Sequence, residues 1–111
     1  MEKWVYAVYT VCADHSKKGE FHSWYDNIHV PDILKCPGFV RAERYELREP
    51  NDADGEYLAL YHIETDDIDR TMDEMRKMVA GYADQGRMSD LVIAVGGGLF
   101  RQITPVMERK K

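Results

Sequence analysis

The order of the apolar segments is the feature that most restricts how this chain can fold. Stretches rich in aromatic and β-branched residues predict four strands, at residues 4–11, 39–48, 57–63 and 91–103. Between them, amphipathic patterns predict one helix from about residue 17 or 19 to Val30 and another that begins after Thr65. The order β-α-β-β-α-β predicts an α+β, ferredoxin-like fold, with a four-stranded antiparallel sheet and two helices on one face.

Glycine and proline mark the boundaries of these segments. Pro37-Gly38 and residues 49–55 are typical of turns, so strands two and three are expected to form a hairpin. Gly96-Gly97-Gly98 interrupts the last strand and predicts a bulge or a close approach of two backbones. The second strand has charged residues on both faces, which favours an edge position.

The length of 111 residues predicts a single domain over residues 1–111, with a core at about 4–104 and a short basic tail. Strands one, three and four are apolar on both faces, yet two helices can cover only one face of the sheet. A small domain rarely exposes so large an apolar face to water. The economical solution is a homodimer in which a second copy covers the other face.

Charge and cysteine content exclude several classes of protein. The net charge is −5, with acidic and basic residues mixed along the chain, which argues against nucleic-acid binding. The sequence has no apolar run of the roughly 18 residues that a membrane span needs, and no leader is recognisable at Met1. Cys12 and Cys36 lack metal-site spacing and are predicted to be free, buried thiols, so a cytoplasmic location is expected.

The first helix is unusual because aromatic residues and a histidine share its apolar side. At 100° per residue, Phe21, Trp24, Tyr25 and Ile28 form one stripe, and His29 falls just outside it. Aromatic side chains with a few polar groups are the usual lining of small-molecule sites. The pattern therefore indicates the wall of a pocket.

His29 is the candidate for acid/base chemistry, because an imidazole titrates near neutral pH. Tyr25, one turn earlier, could hold a substrate oxygen, and Asp26 could bond to one ring nitrogen and orient the ring. The alternative is a structural histidine bonded to a backbone carbonyl or to Asp26. His22 and His29 are about 10 Å apart along a straight helix, so they cannot share a metal, and no metal site is predicted.

Three other polar residues have less certain surroundings. His62 lies on the third strand, and the sequence does not determine which face of the sheet it occupies. Arg41 and Arg44 could meet an anionic substituent of a ligand, but we expect them to pair with Glu43 and Glu46 at the surface.

Several of these positions together resemble a known family, the EthD-like proteins of the dimeric α/β-barrel superfamily. The resemblance is carried by the run Phe21-His22-x-Trp24-Tyr25-x-x-x-His29-x-Pro31-Asp32-x-Leu34-x-x-Pro37-Gly38-Phe39-x-Arg41-x-x-Arg44-Tyr45, followed by Tyr57-Leu58-Ala59-Leu60-Tyr61. It implies a ferredoxin-like domain paired into a dimer with a β-barrel between the subunits. It also implies a cavity between sheet and helices, with His29 as the natural catalytic candidate.

The function expected from these features is that of a small cofactor-independent enzyme. It would carry out acid/base chemistry (isomerisation, dehydration or cyclisation) on an aromatic or polyketide-like carbonyl compound, with His29, Asp26 and Tyr25 as catalytic residues. The residues expected to bind substrate are Trp24, Phe21, Tyr61, Phe39 and Tyr6. The alternatives are a monooxygenase of the same superfamily, substrate-assisted or haem-linked, and a non-catalytic small-molecule-binding or stress-related protein.

Overall fold

The chain folds in the predicted β-α-β-β-α-β order. A computed structural model describes residues 1–110, so Lys111, at the end of the predicted basic tail, lies outside the described residues. The elements are β1 (Glu2–Cys12), a short 3₁₀ turn (His15–Lys17), α1 (Lys18–Trp24), a π turn (Tyr25–His29), α2 (Val30–Ile33), β2 (Phe39–Asn51), β3 (Gly55–Thr65), α3 (Ile68–Asp84) and β4 (Val92–Arg101).

The four strands form one antiparallel sheet in the order β2-β3-β1-β4. The ferredoxin-like fold class is therefore confirmed, and the mixed polar pattern of β2 agrees with its edge position. Burial alternates along β3: Tyr57, Ala59, Tyr61 and Ile63 are buried and face the helices. Where the two central strands pair, Tyr6 of β1 lies opposite Tyr61 of β3, so these two aromatic residues meet beneath the helices.

The hairpin between β2 and β3 is tighter than the turn residues predict. The strands reach Asn51 and Gly55, leaving only residues 52–54 as the connection. The Asn51 side-chain oxygen accepts hydrogen bonds from the backbone N–H groups of Ala53 and Asp54, at 3.0 and 2.8 Å. The asparagine side chain satisfies these N–H groups in place of the usual turn hydrogen bonds. The polar residues at the end of β2 can therefore stay paired with β3 as far as Asn51 and Gly55.

The first helix is continuous from residue 18 to residue 33 but contains one wide turn. The N–H of Val30 donates to the carbonyl of Tyr25, an i→i+5 bond that defines the π turn between α1 and α2. Pro31 gives the physical reason, because it has no N–H and its ring would clash with the carbonyl four residues earlier in a regular α-helix. The regular 100° spacing assumed from the sequence therefore fails after Trp24.

The glycines of β4 produce the predicted irregularity. Tyr9 of β1 lies opposite Gly96, whereas Thr10 lies opposite Ala94, so one residue of β4 bulges out of the register. Gly97 has φ +142°, and a Cβ at this position would lie 2.0 Å from the carbonyl oxygen of Ala7. Only glycine allows the two backbones to approach so closely.

The face of the sheet opposite the helices carries large apolar side chains. Tyr45 lies opposite Leu58, and Phe100 lies opposite Val5, on this open face. Their side chains are half exposed or more, at 50% for Tyr45 and 60% for Phe100. Within residues 1–110, no helix combines the length and apolar character that crossing a membrane requires.

Candidate functional site

A cavity of about 400 Å³ lies between the helix-facing side of the sheet and the helices. Tyr6 and Tyr61 line it from the two central strands, and Trp24, Tyr25 and His29 line it from the first helix. The remaining wall comes from aliphatic side chains and methionines, among them Val8, Ile33, Met75, Val79 and Met88. An apolar cavity of this size with a few polar groups matches the usual form of a small-molecule site.

The π turn determines where His29 points. Its ring stacks on the indole of Trp24, with centroids 4.6 Å apart and planes 16° from parallel, and meets the edge of Tyr25 at 5.4 Å. In a regular α-helix five residues span about 500°, so residues 24 and 29 would lie about 140° apart around the axis. The wide turn brings the rings of Trp24 and His29 to the same side of the helix. It thereby places the imidazole between its two aromatic neighbours at the cavity wall.

His29 is neutral at physiological pH. Burial lowers its pKa from 6.5 to about 4, and the negative charge of Asp32 opposes this effect only in part. Within residues 1–110 the ring makes no hydrogen bond, so neither the predicted bond to Asp26 nor one to a backbone carbonyl occupies it. A neutral imidazole offers one donor and one acceptor, and both are available to a ligand.

The hydroxyl of Tyr61 is the second polar group of interest. Tyr61 is 2% exposed, and its hydroxyl is buried without a hydrogen-bond partner among the described residues. Burial raises the pKa of this phenol far above its usual value, so it stays protonated. A buried hydroxyl without a partner costs free energy, which makes this group a candidate hydrogen-bond donor to a bound ligand.

Asp26 lies apart from His29 and faces β2 instead. Its carboxylate oxygen Oδ1 accepts a hydrogen bond from Nη1 of Arg44 at 2.7 Å, and Nη2 of the same guanidinium lies 3.1 Å from Nδ1 of His22. The prediction that Asp26 orients His29 is therefore wrong in its geometry, because Arg44 offers a charged partner on the flank that Asp26 occupies.

Arg44 was expected at the surface, and this expectation is also wrong. It lies opposite Ala59 on the helix-facing side of the sheet, and its side chain is 15% exposed. Its guanidinium carbon sits 4.2 Å from the centre of the Tyr25 ring, close enough for a cation–π contact. Burial raises the pKa of Tyr25, and the charge of Arg44 opposes that rise.

Two predicted substrate-binding residues, Phe21 and Phe39, lie in the core and do not line the cavity. Phe21 is fully buried and packs against Tyr25 and Tyr57, with ring centroids 5.5 and 5.4 Å away. Phe39 is 6% exposed and contacts Tyr61 at 6.1 Å. Both rings fill space behind the residues that line the cavity, because the first helix packs closely on the sheet there.

An ion pair between buried Asp32 and partly exposed Arg87, which the sequence did not predict, lies next to the cavity. Asp32 is 2% exposed, and its carboxylate accepts hydrogen bonds from Nε and Nη2 of Arg87 at 2.7 and 3.0 Å. The backbone carbonyl of Arg87 accepts a bond from Nε1 of Trp24 at 2.8 Å. These contacts attach the α3–β4 loop, with cavity-lining Met88, to the first helix. Only the Pro31-Asp32 landmark hinted at Asp32, since its partner is distant in sequence.

His62 takes no part in the cavity. Tyr61 and Ile63 face the helices, so His62 lies on the open face, where Nε2 is 2.7 Å from Oε2 of Glu43. This settles the face that the sequence left undetermined. Across the described part of the chain, no group of three or more His, Cys, Asp and Glu side chains is arranged to hold a metal ion.

Solved structures with the same fold come from several bacteria. SnoaB from Streptomyces nogalater, a cofactor-independent oxygenase, has a TM-score of 0.65 and 20% identity over 97% of this chain and 100% of that chain. HapK from Hahella chejuensis has a TM-score of 0.62 and 15% identity over 99% of this chain and 100% of that chain. An ethyl tert-butyl ether d (EthD) family protein from Bacillus halodurans has a TM-score of 0.58 and 16% identity over 93% of this chain and 100% of that chain.

These likenesses show the fold alone, because the identities are low. The EthD-like membership that the motifs indicate therefore stays a prediction. A comparison with curated protein sequences gives no match. One family model does match, over residues 3–80, and it is described as a domain of unknown function, DUF4286. Since the match covers well over half of the chain, this protein belongs to the DUF4286 family.

Proposed function

We propose that this protein is a small cofactor-independent enzyme that transfers a proton on a flat aromatic or polyketide-like carbonyl compound. One observation carries the proposal: His29, with a neutral imidazole, and Tyr61, with a buried hydroxyl, line the same apolar cavity, and neither polar group has a hydrogen-bond partner within residues 1–110. The aromatic lining suits a flat ring system, and the two polar groups suit its oxygen and its acidic proton.

In the proposed mechanism His29 is the base and Tyr61 stabilises the developing negative charge. The free ring nitrogen of His29 takes a proton from a carbon next to the carbonyl, or from a phenol conjugated with it. The Tyr61 hydroxyl donates a hydrogen bond to the carbonyl oxygen as that oxygen becomes an enolate. Trp24 fixes the plane of the imidazole by stacking, and Tyr25 holds it from the side. Returning the proton to another carbon completes an isomerisation.

The low pKa of His29 restricts the substrate to acidic compounds. A proton donor whose pKa is about eight units above that of His29 makes the transfer uphill by about 11 kcal/mol. A kcat of about 10 s⁻¹ allows a total barrier of about 16 kcal/mol. Simple ketones are far less acidic than this limit permits, whereas phenols and carbon acids flanked by two activating groups satisfy it.

A cofactor-independent oxygenase is the second candidate, supported by the likeness in fold to SnoaB. It shares the first step, since the same enolate forms before oxygen reacts. The two candidates differ in oxygen consumption, which an oxygen electrode measures directly. A haem-linked reaction is tested by adding haem to the protein and recording the Soret band, which shifts if an axial ligand binds.

We also infer that a second copy covers the open face of the sheet. Tyr45 and Phe100 are half exposed or more on this face, where the His62–Glu43 pair links β3 to β2. A self-complementary apolar face of this kind favours a two-fold dimer. Sedimentation equilibrium should give a dimer for the natural chain and a monomer for Phe100→Glu; a natural chain that stays monomeric at high concentration contradicts the inference.

Hydrogen exchange on a substrate panel tests the proposed function without knowledge of the product. Anthrones, cyclic diketones and naphthols are incubated with the protein in D₂O, and NMR follows the loss of the acidic C–H signal. We expect at least one compound to exchange faster with the protein, and His29→Gln to slow that exchange by about 10²-fold or more. His15→Gln, at an exposed histidine outside the cavity, is the matched control. Equal exchange in the His29 variant rules out its role as the base. Saturable binding without exchange favours a binding protein.

A further inference from the structure

The cavity continues into a groove between α3 and β4. This groove measures about 460 Å³, and its floor includes residues 96–98, the glycines of β4. It shares four lining residues with the cavity, namely Tyr6, Val8, Arg76 and Ala94. Two adjacent spaces with this much common wall can hold one elongated ligand.

Arg76 stands where the two spaces meet. Among the described residues it is the only side chain with a full charge that lines either space, since His29 is neutral. Its Nη1 donates to Oδ1 of Asp73 at 2.9 Å, one turn earlier on α3. Both partners are about two-thirds exposed, and such surface pairs contribute little, so a ligand anion can replace Asp73.

We infer that Arg76 binds an anionic group, a carboxylate in the simplest case, on the far end of a ligand whose flat apolar part fills the cavity. A guanidinium matches a planar carboxylate with two parallel hydrogen bonds. The inference rests on the proposed function, and it makes the substrate an aromatic or polyketide-like acid. Arg76 then selects for the charged compound, while His29 and Tyr61 act at the other end.

Two fluorescent probes that differ by one charge test this inference through binding alone. Anilinonaphthalene sulfonate is a flat aromatic anion, and N-phenylnaphthylamine is the same ring system without the sulfonate. We expect Arg76→Gln to weaken binding of the sulfonate by about fivefold at low salt, as for a partly exposed ion pair. Binding of the neutral probe should change by less than about twofold. Equal binding of the sulfonate to both proteins, or equal weakening of both probes, overturns the inference.

Two controls locate the effect. Arg70→Gln removes the same charge from α3 at an exposed ion pair outside both spaces, and it should leave both probes unaffected. Ala94→Leu narrows the shared wall at an exposed position and should weaken both probes. If Ala94→Leu affects neither probe, aromatic ligands bind elsewhere, which contradicts the proposed site as well. If it weakens both but Arg76→Gln affects neither, only the role of Arg76 fails.

Discussion

Acidification should destabilise this protein through His29, and the size of the effect follows from its burial. The pKa of His29 is about 4 in the folded chain, against 6.5 for a solvated histidine. Between these values the unfolded chain binds a proton that the folded chain does not, so stability rises with pH across this range and falls on acidification. The effect is absent well above pH 6.5 and complete well below about pH 4.

The expected magnitude is measurable. Lowering the pH from about 7 to about 5 should remove about 2 kcal/mol of unfolding free energy, and the full loss at lower pH is about 3 kcal/mol. Carboxylates contribute mainly at lower pH; hydrogen bonds from Arg87, for example, hold the pKa of Asp32 below its usual value. The range from about pH 5 to about pH 7 therefore isolates the histidines.

Urea unfolding at a series of pH values, compared between the natural chain and His29→Gln, measures the contribution of this one ring. The variant lacks the titrating group, so the difference in unfolding free energy between the two proteins should change by about 2 kcal/mol over the range. The other three histidines are the same in both proteins and cancel. Parallel curves for the two proteins would falsify the buried, neutral state assigned to His29.

Four further substitutions have expected outcomes in the same unfolding assay. Asp32→Asn should cost about 1.5–3 kcal/mol, because it removes the charge from a buried carboxylate that accepts two hydrogen bonds from Arg87; a loss below about 1 kcal/mol would show that the pair is not structural. Tyr61→Phe should leave stability within about 1 kcal/mol, since the hydroxyl has no hydrogen-bond partner within residues 1–110 to lose, and a larger loss argues against that geometry. Gly97→Ala should cost several kcal/mol, whereas Gly81→Ala, in open helix, should stabilise by up to about 1 kcal/mol; similar values for both would contradict the close backbone approach.

The fold could be predicted from the sequence because its signals are local. Alternating or continuous apolar segments and turn residues such as Pro37-Gly38 define the elements, and their order leaves few topologies. The glycines of β4 likewise predict a bulge, and the register of β1 and β4 contains one. The predicted boundaries of β2 and β3 are less accurate, because the Asn51 side chain lets these two strands extend further than their composition suggests.

The site was only partly predictable, because its key contacts are long-range or depend on helix phase. Trp24, Tyr25 and His29 line the cavity, but the stacking of His29 on Trp24 requires a π turn that a regular helical wheel cannot show. The partners of Asp26 and Asp32 are arginines on other elements, distant in sequence, and no local pattern identifies them.

The π turn also restricts how the length of this chain can vary. Deleting one residue from 25–28 would replace the five-residue turn with a regular four-residue turn of nearly the same rotation and rise, so the residues after it would keep almost the same direction. Asp32 would then still face Arg87, and the α3–β4 loop would keep its attachment. Homologues should therefore tolerate insertions and deletions in the hairpin at residues 52–54, and the loss of one residue, but not of two, between Trp24 and Asp32.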